Sequence, residues 1–299
     1  LLYVQRFFDP IRALTMHYST LQRAMASGHR IFELLDIEID IKDAKNAKDI
    51  NVKKGNIEFK NVNFEYNLNE PVLKNLNFLI KENETVGLVG PTGSGKTSIA
   101  NLIHRFYEIK SGIINIGSQN IQKITQSSLS DNISMVLQDP IIFSGTVEDN
   151  IKYKAKASRE EVIEASKVVG SHNFIMTLPK GYDTVLEESG ANISVGQRQL
   201  LSFARALLLD SKIFILDEAT SYIDSYTERQ IQNALDKVLE NRTGIIIAHR
   251  LSTIKNADKI IVLNKGEIIE IGNHEDLLAN KNLYWKLWSN NESSFDDIN

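Results

Sequence analysis

The chain has 299 residues, of which 42% are hydrophobic and 24% charged, and this composition is typical of a folded protein and excludes a disordered one. Its 34 Lys and Arg residues against 38 Asp and Glu residues give a net charge of −4, so the overall basic field of a nucleic-acid-binding protein is absent. Because there is no cysteine, disulfides, thiolate metal sites and cysteine nucleophiles are excluded.

The beginning of the chain is not typical of a signal peptide. It reads Leu1-Leu2-Tyr3-Val4, without an initial Met and without a charged segment ahead of an apolar one. No apolar run reaches the roughly 18 residues that a membrane-spanning helix needs. We therefore expect a fragment of a longer polypeptide.

The first zone, 1–36, predicts one long helix. After Pro10, apolar or small residues recur in heptad spacing, at Leu14, Tyr18, Leu21, Met25, Gly28, Phe32 and Leu35. This spacing predicts a helix of about 25 residues that either packs on its own domain or pairs with a helix outside this chain. The polar stretch 37–54 predicts a linker, and the acidic end, 289–299, predicts a flexible tail.

The middle zone, 55–288, alternates short strand and helix patterns. Half-buried strands are predicted at 57–59, 62–66 and 76–80, and buried parallel strands at 85–89, 133–137, 213–216, 244–248 and 259–263. The stretch 145–208 has no comparable strand pattern and is predicted to be helical. This alternation predicts an α/β fold with an antiparallel addition at its start.

The strongest pattern is a glycine-rich loop that follows the predicted strand 85–89. It reads Gly90-Pro91-Thr92-Gly93-Ser94-Gly95-Lys96-Thr97, which fits G-x-x-x-x-G-K-[ST], and a helix pattern starts at Ser98. Glycines let backbone N–H groups point inward at phosphate oxygens, and the helix N-terminus adds its positive dipole. The sequence therefore predicts a phosphate cradle, with Lys96 over the β- and γ-phosphates and the Thr97 hydroxyl as a ligand of Mg²⁺.

Two carboxylates follow the buried strand 213–216, and they complement this cradle. Asp217 at the strand end would face Mg²⁺ through water, and Glu218 would polarise the attacking water as a general base.

A second helix start has the features of an anion site. In Ile193-Ser194-Val195-Gly196-Gln197, Ser194 is a good N-cap residue, and an apolar helix pattern follows at 200–209. The two helix starts cannot cradle one phosphate from the same side. Either the chain binds two nucleotides, or two chains share them.

Together these motifs resemble the nucleotide-binding domain of an ABC transporter over about 55–288. Segment 90–97 is similar to the Walker A motif, 213–218 to Walker B with its catalytic glutamate, and 193–197 to the family signature, with Ile193 and Val195 as departures. Further positions match in the family's order: the base-stacking aromatic Tyr66, the Q-loop glutamine Gln138, the acidic loop residues Glu187 and Glu188, the D-loop Asp224 and the switch histidine His249.

The resemblance implies a P-loop NTPase (RecA-like) fold: a parallel-sheet core, an antiparallel β subdomain and an inserted helical subdomain at about 139–208. It also implies two domains facing head to tail, with each ATP bound by 90–98, Tyr66 and Asp217 of one chain. From the other chain, the ATP would be contacted by Ser194, Gly196, Gln197 and Asp224. Gln138 and Thr97 would ligate Mg²⁺, Asp217 would bind it through water, Glu218 would activate water and His249 would hold the γ-phosphate.

The N-terminal helix narrows the type of transporter. Its end, 21–36, resembles the cytoplasmic end of the last membrane helix in exporters that fuse membrane and ATPase domains in one chain. The resemblance therefore implies export powered by Mg-ATP hydrolysis at the cytoplasmic face of the inner membrane. The partners would be a second ATPase domain and the membrane domain of the same polypeptide, with no nucleic acid.

The sequence disfavours three alternative functions. A P-loop GTPase is disfavoured because Asn264-Lys265-Gly266-Glu267 lacks the final Asp of the guanine motif and is typical of a plain turn. A non-transport ABC ATPase acting on nucleic acid or ribosomes is disfavoured by the acidic charge and the single uninterrupted domain. An ATP-binding regulatory half without turnover is disfavoured by the presence of both Glu218 and His249.

Overall fold

The structure is a computed structural model that describes residues 2–50, 55–217, 225–248 and 251–289. The chain divides into two compact units, 1–42 and 43–299. The predicted catalytic residues Glu218 and His249 and the D-loop Asp224 lie outside the described residues.

The first unit consists of one helix, α1 (Leu2–Leu35). The sequence predicted a helix only after Pro10. In the structure the helix begins at Leu2 and continues through Pro10, although proline removes one main-chain hydrogen bond there. The apolar seam is exposed along its length, from Leu14 at 73% to Leu35 at 71%. In the described part of the chain, no helix is both long enough and apolar enough to cross a membrane.

The second unit alternates strands and helices. Its elements are β1 (Ile57–Glu65), β2 (Pro71–Ile80), β3 (Thr85–Val89), α2 (Lys96–Ile103), β4 (Ser111–Ile116), β5 (Gln119–Asn120), α3 (Gln126–Asn132), β6 (Ile133–Val136), β7 (Gly145–Thr146), α4 (Val147–Lys152), α5 (Arg159–Val168), α6 (His172–Thr177), β8 (Val185–Leu186), α7 (Val195–Leu208), β9 (Ile213–Asp217), α8 (Ser225–Leu239), β10 (Thr243–Ile247), β11 (Lys259–Asn264), β12 (Glu267–Gly272), α9 (His274–Asn280) and α10 (Leu283–Ser289).

The central sheet has six strands in the order β12-β11-β3-β10-β9-β6. Every neighbouring pair from β11 to β6 is parallel, and β12 is antiparallel to β11. A second sheet, β2-β1-β4-β5, is antiparallel throughout. The predicted α/β fold class, with a parallel core and an antiparallel addition at its start, is confirmed.

The two faces of the central sheet are covered by different helices. Successive side chains of a strand point to opposite faces. In β9, Ile213 and Ile215 therefore join the apolar cluster that contains α2 and the antiparallel sheet, whereas Phe214 and Leu216 join the cluster that contains α7 and α8. Each of these buried side chains contributes about 1.5–3 kcal/mol by leaving water. The helices α2 and α7 consequently lie on opposite faces.

The stretch 145–208 is mostly helical, as its pattern predicts, but it also contains a small sheet. Gly145 of β7 pairs with Leu186 of β8, antiparallel. The sequence pattern predicted no strand here comparable to those of the central sheet, and these two strands have only two residues each. Two-residue strands are too short to produce an alternating pattern in the sequence.

The predicted linker, 37–54, is in part structured. Lys48 forms a parallel bridge to Ile124, the Ile50 N–H donates to the Ser128 hydroxyl at 2.9 Å, and Ile50 is 9% exposed. The part of this stretch up to Ile50 therefore packs on α3 and the second core cluster.

Candidate functional site

The glycine-rich loop 90–95 connects the central strand β3 to α2, so it lies at the carboxyl edge of the parallel sheet. Gly90 has φ 149°, and a Cβ atom there would lie 2.1 Å from the Leu263 carbonyl oxygen. Gly95 has φ 101°, and a Cβ atom there would lie 2.4 Å from Leu73 Cδ2. Only glycine fits these two positions, and the loop can curl tightly around a ligand for that reason.

Lys96, the first residue of α2, folds its side chain back over this loop. The ammonium donates to the Gly90 carbonyl at 2.7 Å and to the Pro91 carbonyl at 3.0 Å. Burial lowers the pKa of Lys96, which is 8% exposed, and the Asp217 carboxylate acts in the opposite direction. A cation that is partly desolvated in this way binds an anion more strongly than one in open water.

The loop and the start of α2 fit a phosphate group. Gly95 occupies the N-cap position and has no side chain with which to cap the helix, so the first N–H groups of α2 remain available to a ligand. The Ser94 hydroxyl is buried and has no hydrogen-bond partner in the described residues. Unpaired donors around a tight glycine loop are what a polyphosphate would satisfy.

Two of the predicted metal-site residues end neighbouring strands at the same edge. Asp217 is the last residue of β9, is 7% exposed, and pairs with Ile247 of β10. Gln138 follows β6, the other neighbour of β9, and is exposed, as is Thr97 on α2. The carboxyl ends of parallel strands meet at one edge, so these oxygen-bearing side chains share it with the loop, which suits a hard cation such as Mg²⁺.

The predicted base-stacking residue, Tyr66, follows β1 and contacts α2, the helix that begins at the phosphate loop. Its hydroxyl lies 3.0 Å from the hydroxyl of Ser98, which is in the first turn of α2. The ring is 44% exposed, so an aromatic surface remains free beside the phosphate cradle.

The second predicted anion site is the start of α7. Here the Gln197 N–H donates to the Ser194 hydroxyl at 3.2 Å, and the Ser194 N–H donates to the Gln197 side-chain carbonyl at 2.9 Å. This reciprocal pair is a capping box. Gly196 is buried in the first turn. Because α7 lies on the opposite face of the sheet from α2, the two helix starts do not converge on one phosphate.

A groove adjoins Gln138, and its residues were not predicted from sequence. It is lined by the turn after α2, by β6, by the segment after Gln138, by the end of α4 and by α7, including His104, Met135, Ile141, Phe143, Tyr153 and Arg205. Arg205 of α7 donates to the Ile141 carbonyl at 3.0 Å and to the Asn150 carbonyl at 2.8 Å. Its guanidinium also lies 5.6 Å and 5.3 Å from the ring centres of Phe143 and Tyr153.

Asn150 completes this arrangement. Its side-chain carbonyl accepts from the Phe143 N–H at 2.9 Å, and its amide donates to the Phe143 carbonyl at 2.9 Å. The segment that follows Gln138 is thus fastened to α4 and α7. No spacing rule identifies Arg205, because its partners Asn150 and Ile141 are distant in sequence and are brought to it only by the fold.

The chain was compared with known proteins. The ABC transporter family model matches residues 73–221. An uncharacterized ABC transporter ATP-binding protein of Bacillus subtilis is 45% identical over 295 residues, which is 98% of this chain and 48% of that protein. A putative multidrug export ATP-binding/permease protein of Staphylococcus aureus is 46% identical over 289 residues, 96% of this chain and 50% of that protein.

A solved structure gives the same picture. A bacterial Atm1-family ABC exporter with ATP bound matches with a TM-score of 0.84 and 37% identity, over 99% of this chain and 52% of that one. The chain therefore spans about half the length of the curated relatives and the structure that it matches.

Proposed function

We propose a function from the premise that this chain belongs to the ABC transporter family, whose ATP-binding domain it carries. In our proposal the chain binds ATP with Mg²⁺, hydrolyses it, and thereby powers export of a substrate across a membrane. The protein that contains it would lie in the inner membrane, with this domain at the cytoplasmic face. The Staphylococcus aureus relative is named as a combined ATP-binding and permease protein, which supports a membrane domain in the same polypeptide.

The observation that carries the proposal is the loop 90–97 itself. Its two obligatory glycines, the buried unpaired Ser94 hydroxyl and the partly desolvated Lys96 ammonium converge on one small volume. These groups would hold the β- and γ-phosphates. Thr97 and Gln138 would ligate Mg²⁺ and Asp217 would bind it through water, and the ion would neutralise charge that develops on the phosphates.

The remaining catalytic roles rest on the resemblance to the family. Glu218, directly after Asp217, would act as the general base on water, and His249, directly after β10 and Ala248, would hold the γ-phosphate. The strands that precede them, β9 and β10, pair through Asp217 and Ile247 at the edge where Lys96 lies, which supports the assignment.

The position of α7 supports a shared site between two chains. Its N-terminus is suited to an anion but lies across the sheet from the chain's own phosphate loop. A second copy facing head to tail would supply Ser194, Gly196, Gln197 and Asp224 of the partner subunit to each ATP. Binding of ATP would close this dimer and hydrolysis would let it open.

The groove beside Gln138 supports a route from the nucleotide to the membrane domain. Arg205 ties the segment after Gln138 to α7, the helix that begins with the second anion site. A membrane-domain segment seated against Phe143 and Tyr153 would therefore move together with both Gln138 and the start of α7. This arrangement suits coupling of ATP turnover to transport.

The proposal is tested by measuring phosphate release under Mg-ATP over a wide range of protein concentration. We expect the activity per chain to rise with concentration, because the site is complete only in a dimer. Glu218→Gln should reduce turnover by about 10²–10⁴-fold while ATP still binds, and it should accumulate as an ATP-bound dimer. Glu164→Gln, an exposed carboxylate on α5, serves as the matched control and should leave turnover unchanged.

Two results would overturn the proposal. One is constant activity per chain in a preparation whose measured mass is that of a monomer, because a single chain would then hydrolyse ATP alone. The other is undiminished turnover in Glu218→Gln, which would remove that residue from its assigned role.

A further inference from the structure

The ring of Tyr66 is held by three neighbours. Phe64 meets it at a centroid distance of 4.7 Å and an interplanar angle of 80°, and Tyr107 meets it at 4.9 Å and 87°. The Ser98 hydroxyl lies 3.0 Å from the Tyr66 hydroxyl. Perpendicular contacts of this kind are the favoured geometry for aromatic pairs. Neither ring is stacked parallel on Tyr66, so its 44% exposed surface remains accessible to a stacking ligand.

Tyr66 needs such support because no strand pairing fixes it. It lies one residue past the end of β1, where the ladder with β2 has already ended at Glu65. An unsupported side chain on a strand end would lose rotamer freedom on stacking, and that loss would weaken binding.

Tyr107, in contrast, is on a rigid turn. The turn follows α2 and contains Arg105 at φ 54°, a buried residue that is 4% exposed. The Arg105 guanidinium donates to Glu108 at 2.8 Å, and the Phe106 N–H donates to the Asn101 carbonyl at 2.9 Å. Tyr107 lies between these two anchored positions.

Both Ser98 and the turn that carries Tyr107 are continuous with α2, the helix that begins at the phosphate loop. The ring of Tyr66 is therefore oriented by the same rigid element that would hold the phosphates. The helix α2 therefore connects the phosphate cradle to the base-stacking surface through Ser98 and the turn that carries Tyr107, and Phe64 supports the ring from the antiparallel sheet.

We propose that Tyr107 is a positioning residue for nucleotide binding, because it holds the Tyr66 ring in the orientation in which the base of the nucleotide stacks. The inference rests on the proposed function, in which Tyr66 stacks on the base. Tyr107 acts through Tyr66 and needs no contact of its own with the nucleotide.

The experiment compares equilibrium binding of two probes to the full chain: a non-hydrolysable Mg-ATP analogue, and Mg-tripolyphosphate, which has no base. We expect Tyr107→Ala to weaken binding of the ATP analogue about 2- to 10-fold, which is the range for loss of one aromatic pair, and to leave tripolyphosphate binding unchanged. Tyr107→Phe retains the ring and should bind both probes as the unmodified chain does. In a Tyr66→Ala background, Tyr107→Ala should cause no further loss.

Each alternative result overturns a distinct statement. Equal weakening of both probes by Tyr107→Ala would mean that the residue only supports α2. Additive losses from Tyr66→Ala and Tyr107→Ala, or no loss from Tyr107→Ala, would refute the positioning role while ATP binding stands. An unmodified chain that binds tripolyphosphate but gains nothing from the base would refute the stacking assignment of Tyr66, and with it the role of Tyr107. A chain that binds neither probe would refute the proposed function itself.

Discussion

The starts of α2 and α7 differ in what happens to the unpaired N–H groups of the first helical turn. Every helix N-terminus has unpaired N–H groups and a positive dipole end. At α2, a glycine stands at the N-cap and leaves these groups open. At α7, Ser194 and Gln197 close the end with a reciprocal capping box. An open helix start is available to a ligand that its own chain binds. A capped helix start is complete on folding, so only its remaining N–H donors and its dipole can interact with a ligand held by another chain.

The carbonyls at the other ends of the two helices are satisfied in both cases, by different groups. The last carbonyls of α7 are satisfied by Arg242, which donates to Ala206 at 2.9 Å and to Leu207 at 3.1 Å. At α2 the C-cap residue is His104, whose Nε2 is buried with no hydrogen-bond partner in the described ranges. The last carbonyls of α2 are nevertheless satisfied, because the main-chain N–H groups of residues 104–106 donate to them. The two helices therefore differ at their starts, and selection for ligand binding accounts for the open start of α2.

Removing the Lys96 ammonium should have the largest effect, and it tests whether the start of α2 is the ligand-holding end. Lys96→Ala deletes a buried cation over the loop, so Mg-ATP binding should weaken about 10- to 100-fold, the range for a hydrogen bond to a charged group. The measurement is equilibrium binding by calorimetry. Lys167→Ala, an exposed lysine on α5, is the control and should bind normally. Tight ATP binding without Lys96 would refute the cradle assignment.

The sequence predicted the phosphate loop and the elements on either side of it well. The strand 85–89, the loop 90–97 and the helix after it agree with the structure, because the G-x-x-x-x-G-K-T spacing, the buried run and the dipole argument are all local. The buried run at 213–216 likewise identified β9, which ends at Asp217. The fold class followed from the alternation of such runs with helix patterns.

What the sequence did not predict depends on contacts between distant residues. Tyr107 and Tyr66 are 41 positions apart, and Arg205 lies 64 positions from Ile141, so no window of sequence contains either pair. At α7 the signal is local, and the N-cap role predicted for Ser194 agrees with the structure, in which Gln197 completes the capping box. A cap and an anion site have one physical cause, which is the set of unpaired N–H groups at the helix start.

The buried His104, at the other end of α2, makes the stability of the chain depend on pH. Burial lowers the pKa of His104 to about 4, and the nearby Lys154 ammonium lowers it further in the same direction. In the unfolded chain a histidine titrates near 6.5, so the unfolded state binds more protons between pH 6.5 and 4. The stability that the neutral ring contributes is complete above pH 6.5 and is lost as the pH falls toward 4.

The expected loss from this one group between pH 7 and pH 5 is about 2 kcal/mol of unfolding free energy. Urea unfolding at the two pH values measures it, and His104→Gln, which cannot titrate, should reduce the loss by that amount. The matched control is His172→Gln on α6, where the histidine ring bonds to the Tyr182 hydroxyl. An unaltered pH slope in His104→Gln would mean that the histidine is hydrated in the folded chain.

The smallest effect gives the most direct test of the two helix starts, because the chain contains a matched pair of capping boxes. Ser194 at α7 and Ser158 at α5 each accept from the main-chain N–H three residues on, at 3.2 Å in both cases. Ser194→Ala and Ser158→Ala should each cost about 1 kcal/mol of unfolding free energy, measured by urea denaturation.

Ser194→Ala and Ser158→Ala should differ in their rate of ATP turnover. If the start of α7 serves a nucleotide held by another chain, Ser194→Ala should lower phosphate release about tenfold at protein concentrations where activity depends on association, the cost of one hydrogen bond to a charged group. Ser158→Ala should not change it. Binding of ATP to dilute protein should be the same in both variants, because the chain's own phosphate loop lies on the other face of the sheet. Equal turnover in the two variants would reduce Ser194 to a helix cap and remove α7 from the nucleotide site.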